Sequence, residues 1–177
     1  ENDGFNRLVL QAQLNWREIS VLRAYTKYLW QTSFTFSAQY TAIALVNNPD
    51  IAQGLVKLFK YKFDPAMLEM RQEKMQEVET IILKKLDDVA SLDEDRILRR
   101  FLAVIHATLR TNYFQKTEGQ YKSQFSFKFD SKKIPELPLP VPLYEIFVYS
   151  PRFEGIHLRS GKIARGGIRL SDRPEDY

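Results

Sequence analysis

The fold class of this chain is decided by one short stretch, Phe125-Ser126-Phe127-Lys128-Phe129-Asp130. A phenylalanine stands at every second position and a polar residue at each position between, so an extended backbone would place all three rings on one side. This alternation predicts a β-strand with one buried face. Because the residues before it have helical periodicity and the residues after it have strand patterns, the predicted class is α+β: mainly an α-helical bundle, followed by a small β segment.

Working backwards from this strand, apolar residues recur at three- and four-residue spacing, which predicts a series of amphipathic helices. Asn15 and Glu18 have the spacing of a capping box, and the helix that they open is expected to end near Gln31. Further helices are predicted over residues 37–46, 49–63, 65–89 and 91–113. Prolines at the first helical position, or Ser followed three residues later by Glu, mark several of these starts.

The longest predicted helix, residues 65–89, has an apolar face with nearly heptad spacing. Such a face requires a partner helix, and the helix predicted next along the chain is the expected one. The large aromatic side chains of Trp16, Tyr28 and Trp30 are assigned to the core, since aromatic residues bury large areas.

Strand patterns continue after Asp130. Alternating prolines over residues 134–142 predict an extended connector, and strands are predicted over residues 143–149, 155–159 and 162–170. We therefore divide the chain into a helical domain (1–117), a strand and proline-rich connector (118–142) and a terminal β segment (143–177). The apolar run 143–149 needs cover on both faces, so these strands are expected to belong to a larger sheet.

The composition is that of a globular protein, with 177 residues, 44% of them hydrophobic and 27% charged. The absence of cysteine excludes disulfides, thiolate metal sites and thiol nucleophiles, and it fits the reducing cytoplasm. No apolar stretch approaches the ~20 residues of a membrane span. His106 and His157 lack further ligands at metal-binding spacing. We therefore expect neither a membrane partner nor a metal site.

A second informative stretch is Gly161-Lys162-Ile163-Ala164-Arg165-Gly166-Gly167-Ile168-Arg169-Leu170-Ser171-Asp172-Arg173. In an extended segment, Arg165 and Arg169 share one face with their Cα atoms ~13 Å apart. Gly167 between them leaves the backbone open to a ligand, and arginine suits a carboxylate or phosphate. One alternative is an ordinary edge strand with solvated arginines. Another is a nucleic-acid-binding surface, which would use Arg159, Lys162, Arg165, Arg169 and Arg173.

The run from Ala164 to Arg173, with Glu175-Asp176, resembles the start of the catalytic domain of the large bacterial NAD-dependent glutamate dehydrogenases. Further matches to that family occur in the same order along the chain: Phe5-Asn6-Arg7-Leu8-Val9-Leu10, Trp16-Arg17-Glu18, Leu22-Arg23-Ala24-Tyr25 and Glu145-Ile146-Phe147-Val148-Tyr149-Ser150-Pro151-Arg152.

Residues 165–169 are also similar to the Lys-Gly-Gly-Ile-Arg motif of the small hexameric glutamate dehydrogenases, in which the lysine binds the substrate carboxylate. By this resemblance the candidate substrate-binding residues are Arg165, Gly166, Gly167 and Arg169. Arg165 takes the place of the lysine, which keeps the charge and changes the reach. Leu170 stands where the motif more usually has an aromatic residue.

The resemblance implies an oxidoreductase that uses NAD to convert L-glutamate to 2-oxoglutarate and ammonia, as a homo-oligomer without nucleic acid. Both ends of the chain resemble cuts in a longer polypeptide. The resemblance places the catalytic lysine and aspartate, and the dinucleotide-binding domain, beyond Tyr177. We therefore expect no catalytic, NAD-binding or metal-binding residue within residues 1–177, and no activity without the remainder of the same polypeptide. The alternative is a helical regulatory or oligomerisation module with no substrate contact.

Overall fold

A computed structural model of the chain describes residues 3–32 and 34–161, and the backbone of 168–169. The helices are a 3-10 helix Gly4–Arg7, α1 Leu8–Gln11, α2 Trp16–Gln31, α3 Ala38–Asn47, α4 Pro49–Phe63, a 3-10 helix Pro65–Met67, α5 Arg71–Leu86 and α6 Leu92–Ala107. The strands are β1 Thr108–Thr111, β2 Lys116–Thr117, β3 Gln120–Tyr121, β4 Phe125–Asp130, β5 Tyr144–Ser150, β6 Phe153–Arg159 and β7 Ile168–Arg169, and a 3-10 helix Ser131–Lys133 follows β4. The predicted α+β class, helices followed by a small sheet, is confirmed.

The helix starts follow the chemistry read from the sequence. The side chain of Asn15 accepts hydrogen bonds from the backbone N–H groups of Arg17 and Glu18, both at 3.0 Å, and the Glu18 carboxylate accepts from the Asn15 N–H at 3.0 Å. Such a capping box satisfies N–H groups that have no partner within the helix, and a cap contributes about 1 kcal/mol. Ser37 and Ser91 cap α3 and α6 with single hydrogen bonds, which their side chains accept from the backbone N–H groups of Tyr40 and Glu94.

Five of the strands form one antiparallel sheet in the order β1-β4-β5-β6-β7. The register aligns Phe127 with Phe147 across β4 and β5, and Phe147 with Ile156 across β5 and β6. These three side chains are almost completely buried. Since residues aligned across neighbouring strands face the same way, they define the inner face of the sheet.

The helices cover this inner face. Tyr25 and Tyr28 of α2 lie directly on the phenylalanines of β4, with ring centroids 5.0 Å apart for Tyr25 and Phe127 and 4.3 Å apart for Tyr28 and Phe129. Aromatic pairs of this kind contribute about 0.5–1.5 kcal/mol beyond the area that they bury. Helices and sheet therefore share one buried core, which extends from Phe5 to Ile156. The division of the chain at residues 117 and 142 stays a prediction.

Three details of the predicted helices are wrong. The helix expected over residues 65–89 is divided into a 3-10 helix Pro65–Met67 and α5, which begins at Arg71 and ends at Leu86. The helix expected to reach residue 113 ends at Ala107, and Thr108–Thr111 instead forms β1, paired with β4. The prediction that Trp16 lies in the core is wrong, because its side chain is 68% exposed at the start of α2. Tyr28, assigned to the core with it, is fully buried.

The partner of α5 also differs from the prediction. This helix packs chiefly against α4, which precedes it, and has fewer contacts with α6. The close approach occurs at Gly54 of α4, where an added Cβ atom would lie 2.8 Å from Cγ1 of Ile82 in α5. A glycine is therefore required for the two helices to lie this close. None of the described helices combines the length and the hydropathy needed to cross a membrane.

Candidate functional site

The predicted substrate-binding segment falls almost entirely outside the described residues. Arg165, Gly166 and Gly167 lie outside them. For Arg169 only the backbone is described. Of the cations that the nucleic-acid alternative requires, the structure describes the side chain of Arg159. The role of this segment therefore stays a prediction.

The backbone of Arg169 nevertheless has a defined position in the sheet. It pairs with Ile156 of β6, and the backbone of Ile168 pairs with His157, both in antiparallel register. Ile156 is 1% exposed and belongs to the core. The strand that carries Arg169 is thus hydrogen-bonded to a strand whose own position is fixed by the helices.

Polar contacts from α2 hold β6 in place. The side-chain amide of Gln31 donates a hydrogen bond to Glu154 of β6 at 2.9 Å, and the ammonium group of Lys27 lies 3.7 Å from the other carboxylate oxygen. A carboxylate with two such partners is held from two directions. The strand next to β7 is therefore fixed by α2 through polar groups as well as through the core.

A completely buried carboxylate, Glu145 of β5, lies between the sheet and α2 and accepts a hydrogen bond from the Tyr28 hydroxyl. Close by, the Tyr25 hydroxyl lies 2.9 Å from Oγ1 of Thr108, and burial raises the pKa of Tyr25 well above its ordinary value. A buried carboxylate is costly unless it is hydrogen-bonded. Sequence reasoning missed this group, although a single acidic residue within the apolar run 143–149 was a usable signal.

Arg17 forms a second polar anchor, at the edge of the core. Its guanidinium carbon lies 4.5 Å from the ring centroids of Tyr113 and Tyr121 and 5.0 Å from that of Phe125. The same group donates hydrogen bonds to the backbone carbonyls of Lys122, at 2.9 Å, and Tyr113. Burial raises the pKa of Tyr113 to about 12. Cation–π contacts and two carbonyl bonds together make Arg17 a structural clamp.

No metal centre is found in the part of the chain that the structure describes, since it contains no group of three or more His, Asp or Glu side chains placed to hold an ion. His106 instead has its Nε2 atom 2.9 Å from a carboxylate oxygen of Glu79.

A cavity of about 530 Å³ lies between the first 3-10 helix, α2 and α3. Most of its walls come from these helices, including Phe5, Lys27 and Ile43.

The described strands do not form the parallel sheet of the common dinucleotide-binding fold. Every strand pair in the described sheet is antiparallel. The fold that binds NAD across its strand ends needs parallel strands joined by helices, with a glycine-rich turn at the first helix. We therefore assign no NAD-binding residue within the described part of the chain.

Comparison with known proteins identifies the family. Residues 81–177, more than half of the chain, match the family model described as "Bacterial NAD-glutamate dehydrogenase, catalytic domain". Residues 1–65 match the model described as "Glutamate dehydrogenase, helical motif 3". The first match begins within α5 and includes α6 as well as the sheet, and the second covers the helices before α5.

Three relatives match along the whole chain, and each is named NAD-specific glutamate dehydrogenase. The protein of Pseudomonas aeruginosa is 58% identical over 181 residues, that of Halomonas elongata 51% over 178, and that of Mycobacterium tuberculosis 44% over 180. The matches cover 100% of this chain and 11% of each relative. The agreement between the family model and these full-chain identities shows that the chain belongs to the bacterial NAD-glutamate dehydrogenase family.

Proposed function

We propose that this chain works as part of an NAD-dependent glutamate dehydrogenase, an oxidoreductase acting on a CH–NH₂ group. The overall reaction converts L-glutamate, NAD⁺ and water into 2-oxoglutarate, ammonium, NADH and a proton. Family membership carries the proposal, together with the full-chain identity to three relatives named for this activity. The chain is not active alone in this proposal, because the catalytic and NAD-binding groups belong to the remainder of the enzyme.

Within the enzyme, we assign this chain the role of scaffold and of part of the substrate-binding site. In this assignment Arg165 binds a carboxylate of glutamate, and Gly166 and Gly167 let the substrate approach the backbone. Arg169 is the fourth substrate-binding residue. The pairing of Arg169 with Ile156 supports it, because a binding residue is positioned best when it adjoins a rigid element. Holding a substrate in a fixed orientation is itself a major source of rate acceleration.

The test is kinetic and uses the full-length dehydrogenase. Removing the guanidinium group with Arg165→Ala is expected to raise the KM for glutamate about tenfold or more, since a charge-assisted hydrogen bond contributes about 1.5–3 kcal/mol. The KM for NAD should change little. Arg99→Ala is a matched control, because Arg99 is half-exposed on α6 and bonds to Asp95 of the same helix. An unchanged KM for glutamate in Arg165→Ala would remove Arg165 from the site.

A second candidate function is assembly of a homo-oligomer through α5, with a second copy of this chain as the partner. It is favoured by apolar side chains that are exposed on or next to this helix: Leu68 (68%), Met70 (50%), Ile81 (54%) and Leu83 (41%). Exposed apolar clusters commonly mark protein interfaces. Sedimentation velocity of the 177-residue chain tests it. A monomer at all accessible concentrations would count against an assembly role for this part of the enzyme.

A further inference from the structure

The face of the sheet opposite the helices carries a positively charged groove of about 420 Å³. It lies over β1, β4, β5 and β6, and we call it the outer groove. Its charged lining residues are all cations: Arg110, Lys122, Lys128 and Arg159. None of the described residues that line it is acidic.

Two of these cations are direct neighbours across the strands. Arg110 of β1 is aligned with Lys128 of β4 in the antiparallel register. Aligned residues lie only about 4.5–5.5 Å apart at their Cβ atoms, and like charges in this arrangement are destabilising. Partial burial, followed by the positive charges of Arg110 and Arg159, lowers the pKa of Lys128. The sheet therefore holds positive charges together at a cost.

The groups next to this pair relieve only part of that cost. The Lys128 ammonium group lies 4.0 Å from the centroid of the Tyr144 ring, which is a favourable cation–π contact. Asp130 is two residues further along the same face, but its carboxylate lies 3.9 Å from the ammonium group of Lys133. The side-chain amide of Asn112 bonds to the backbone of Gln124 and Ser126, so it forms a fixed wall of the groove.

From this arrangement we infer that the outer groove binds a small ligand bearing a phosphoryl group, held between Arg110 and Lys128. A phosphoryl group carries about 1.5–2 negative charges at neutral pH and offers three acceptor oxygens, so it can satisfy two adjacent cations at once. A single carboxylate carries one charge and would neutralise only one of them. The guanidinium fork of Arg110 matches two phosphoryl oxygens, and Lys128 supplies a point charge. None of residues 165–169 takes part, so the inference goes beyond the proposed function.

The test is calorimetric titration of the 177-residue chain with inorganic phosphate and with phenyl phosphate, at constant ionic strength. We expect saturable binding at one site. Arg110→Gln and Lys128→Gln should each weaken it about tenfold or more, as expected for loss of a charge-assisted hydrogen bond. Lys132→Gln is the matched control, because it removes the same charge from an exposed lysine of the adjacent 3-10 helix. The affinity of this control variant for the two probes should differ from that of the wild type by less than about twofold.

Two further measurements sharpen the result. Without ligand, Arg110→Gln should be at least as stable as the wild type, since it removes a repulsion. Equal affinities for inorganic phosphate and phenyl phosphate would identify the ligand as free phosphate. Tighter binding of phenyl phosphate would identify the ligand as an organic phosphate whose apolar part contacts Ile146. Absence of saturable binding would overturn the inference. So would an equal loss of affinity in all three variants, which would indicate general charge attraction only.

Discussion

The hydroxyl group of Tyr28 in α2 donates a hydrogen bond to the carboxylate of Glu145 in β5, and both side chains are completely buried. The two residues are separated by 117 positions in the sequence. The bond therefore joins the buried face of α2 to β5, the central strand of the sheet. It also satisfies part of the hydrogen-bonding capacity of a carboxylate that has been removed from water.

Tyr28→Phe should accordingly destabilise the fold. The substitution keeps the ring and its stacking on Phe129 but removes one donor to the Glu145 carboxylate, and such a loss costs about 1–3 kcal/mol. Urea denaturation measures the change in the free energy of unfolding. Tyr121→Phe is the control, because Tyr121 is 49% exposed and keeps its contact with Arg17 through the ring. A loss no larger than that of the control would show that the bond contributes little.

Gly54→Ala should weaken the packing of α4 on α5. The new Cβ atom would meet Cγ1 of Ile82 at 2.8 Å, and overpacking of this kind costs about 1–3 kcal/mol. Alanine also gains about 1 kcal/mol of helix propensity over glycine, so the net loss should be smaller than the packing cost alone. Thermal or urea unfolding measures it.

A double-mutant cycle isolates the cause. In the background of Ile82→Ala, which removes the clashing atom, Gly54→Ala should become neutral or stabilising. An unchanged loss in that background would mean that Ile82 is not what excludes a side chain at position 54.

Lys62 should make stability depend on pH above neutrality. Burial, followed by the charge of Lys133, lowers the pKa of Lys62 to about 8 in the folded state, against an ordinary value of 10.5. Between these two values the unfolded chain binds more protons than the folded chain, so the free energy of unfolding rises with pH. The contribution is lost as the pH falls through about 8.

The measurement compares the wild type with Lys62→Gln over this range. The difference between their free energies of unfolding should grow in favour of the wild type as the pH rises from 8 to 10. The ammonium group also donates hydrogen bonds to the carbonyls of Ile105 and His106, at 2.8 and 2.7 Å, and these favour the charged form. A flat difference across the range would show that these bonds offset the burial.

Local chemistry explains why much of the fold is predictable from the sequence. A capping box such as Asn15 with Glu18 is completed within four residues, and the alternation over residues 125–130 is set by the pleat of a single strand. Features of this kind need no knowledge of the rest of the chain. The four-residue strand β1 is different, because Leu109 continues the helical spacing of the residues before it, and only pairing with β4 makes it a strand.

The contacts that distant residues make explain the remaining errors. An apolar face on α5 predicts that a partner helix exists, but it does not identify α4 as that partner. The environments of Arg17 and Glu145 depend on groups 96 and 117 residues away, respectively. For the candidate site, the sequence supplied residue types and a resemblance, and the structure adds the register of Arg169. The contact of Arg165 with a substrate remains a prediction.

The contacts of Arg17 determine a place where the chain can be lengthened. One guanidinium group holds the carbonyls of Tyr113 and Lys122, so the segment between them leaves the core and returns to it at a single point. Within it, β2 and β3 form an exposed hairpin whose turn has positive φ angles at Glu118 (52°) and Gly119 (78°), and nothing would contact a Cβ atom at Gly119. Extra residues at this turn would extend into solvent while β1 and β4 keep their places. The hairpin is thus the natural position for an insertion, in evolution or by design.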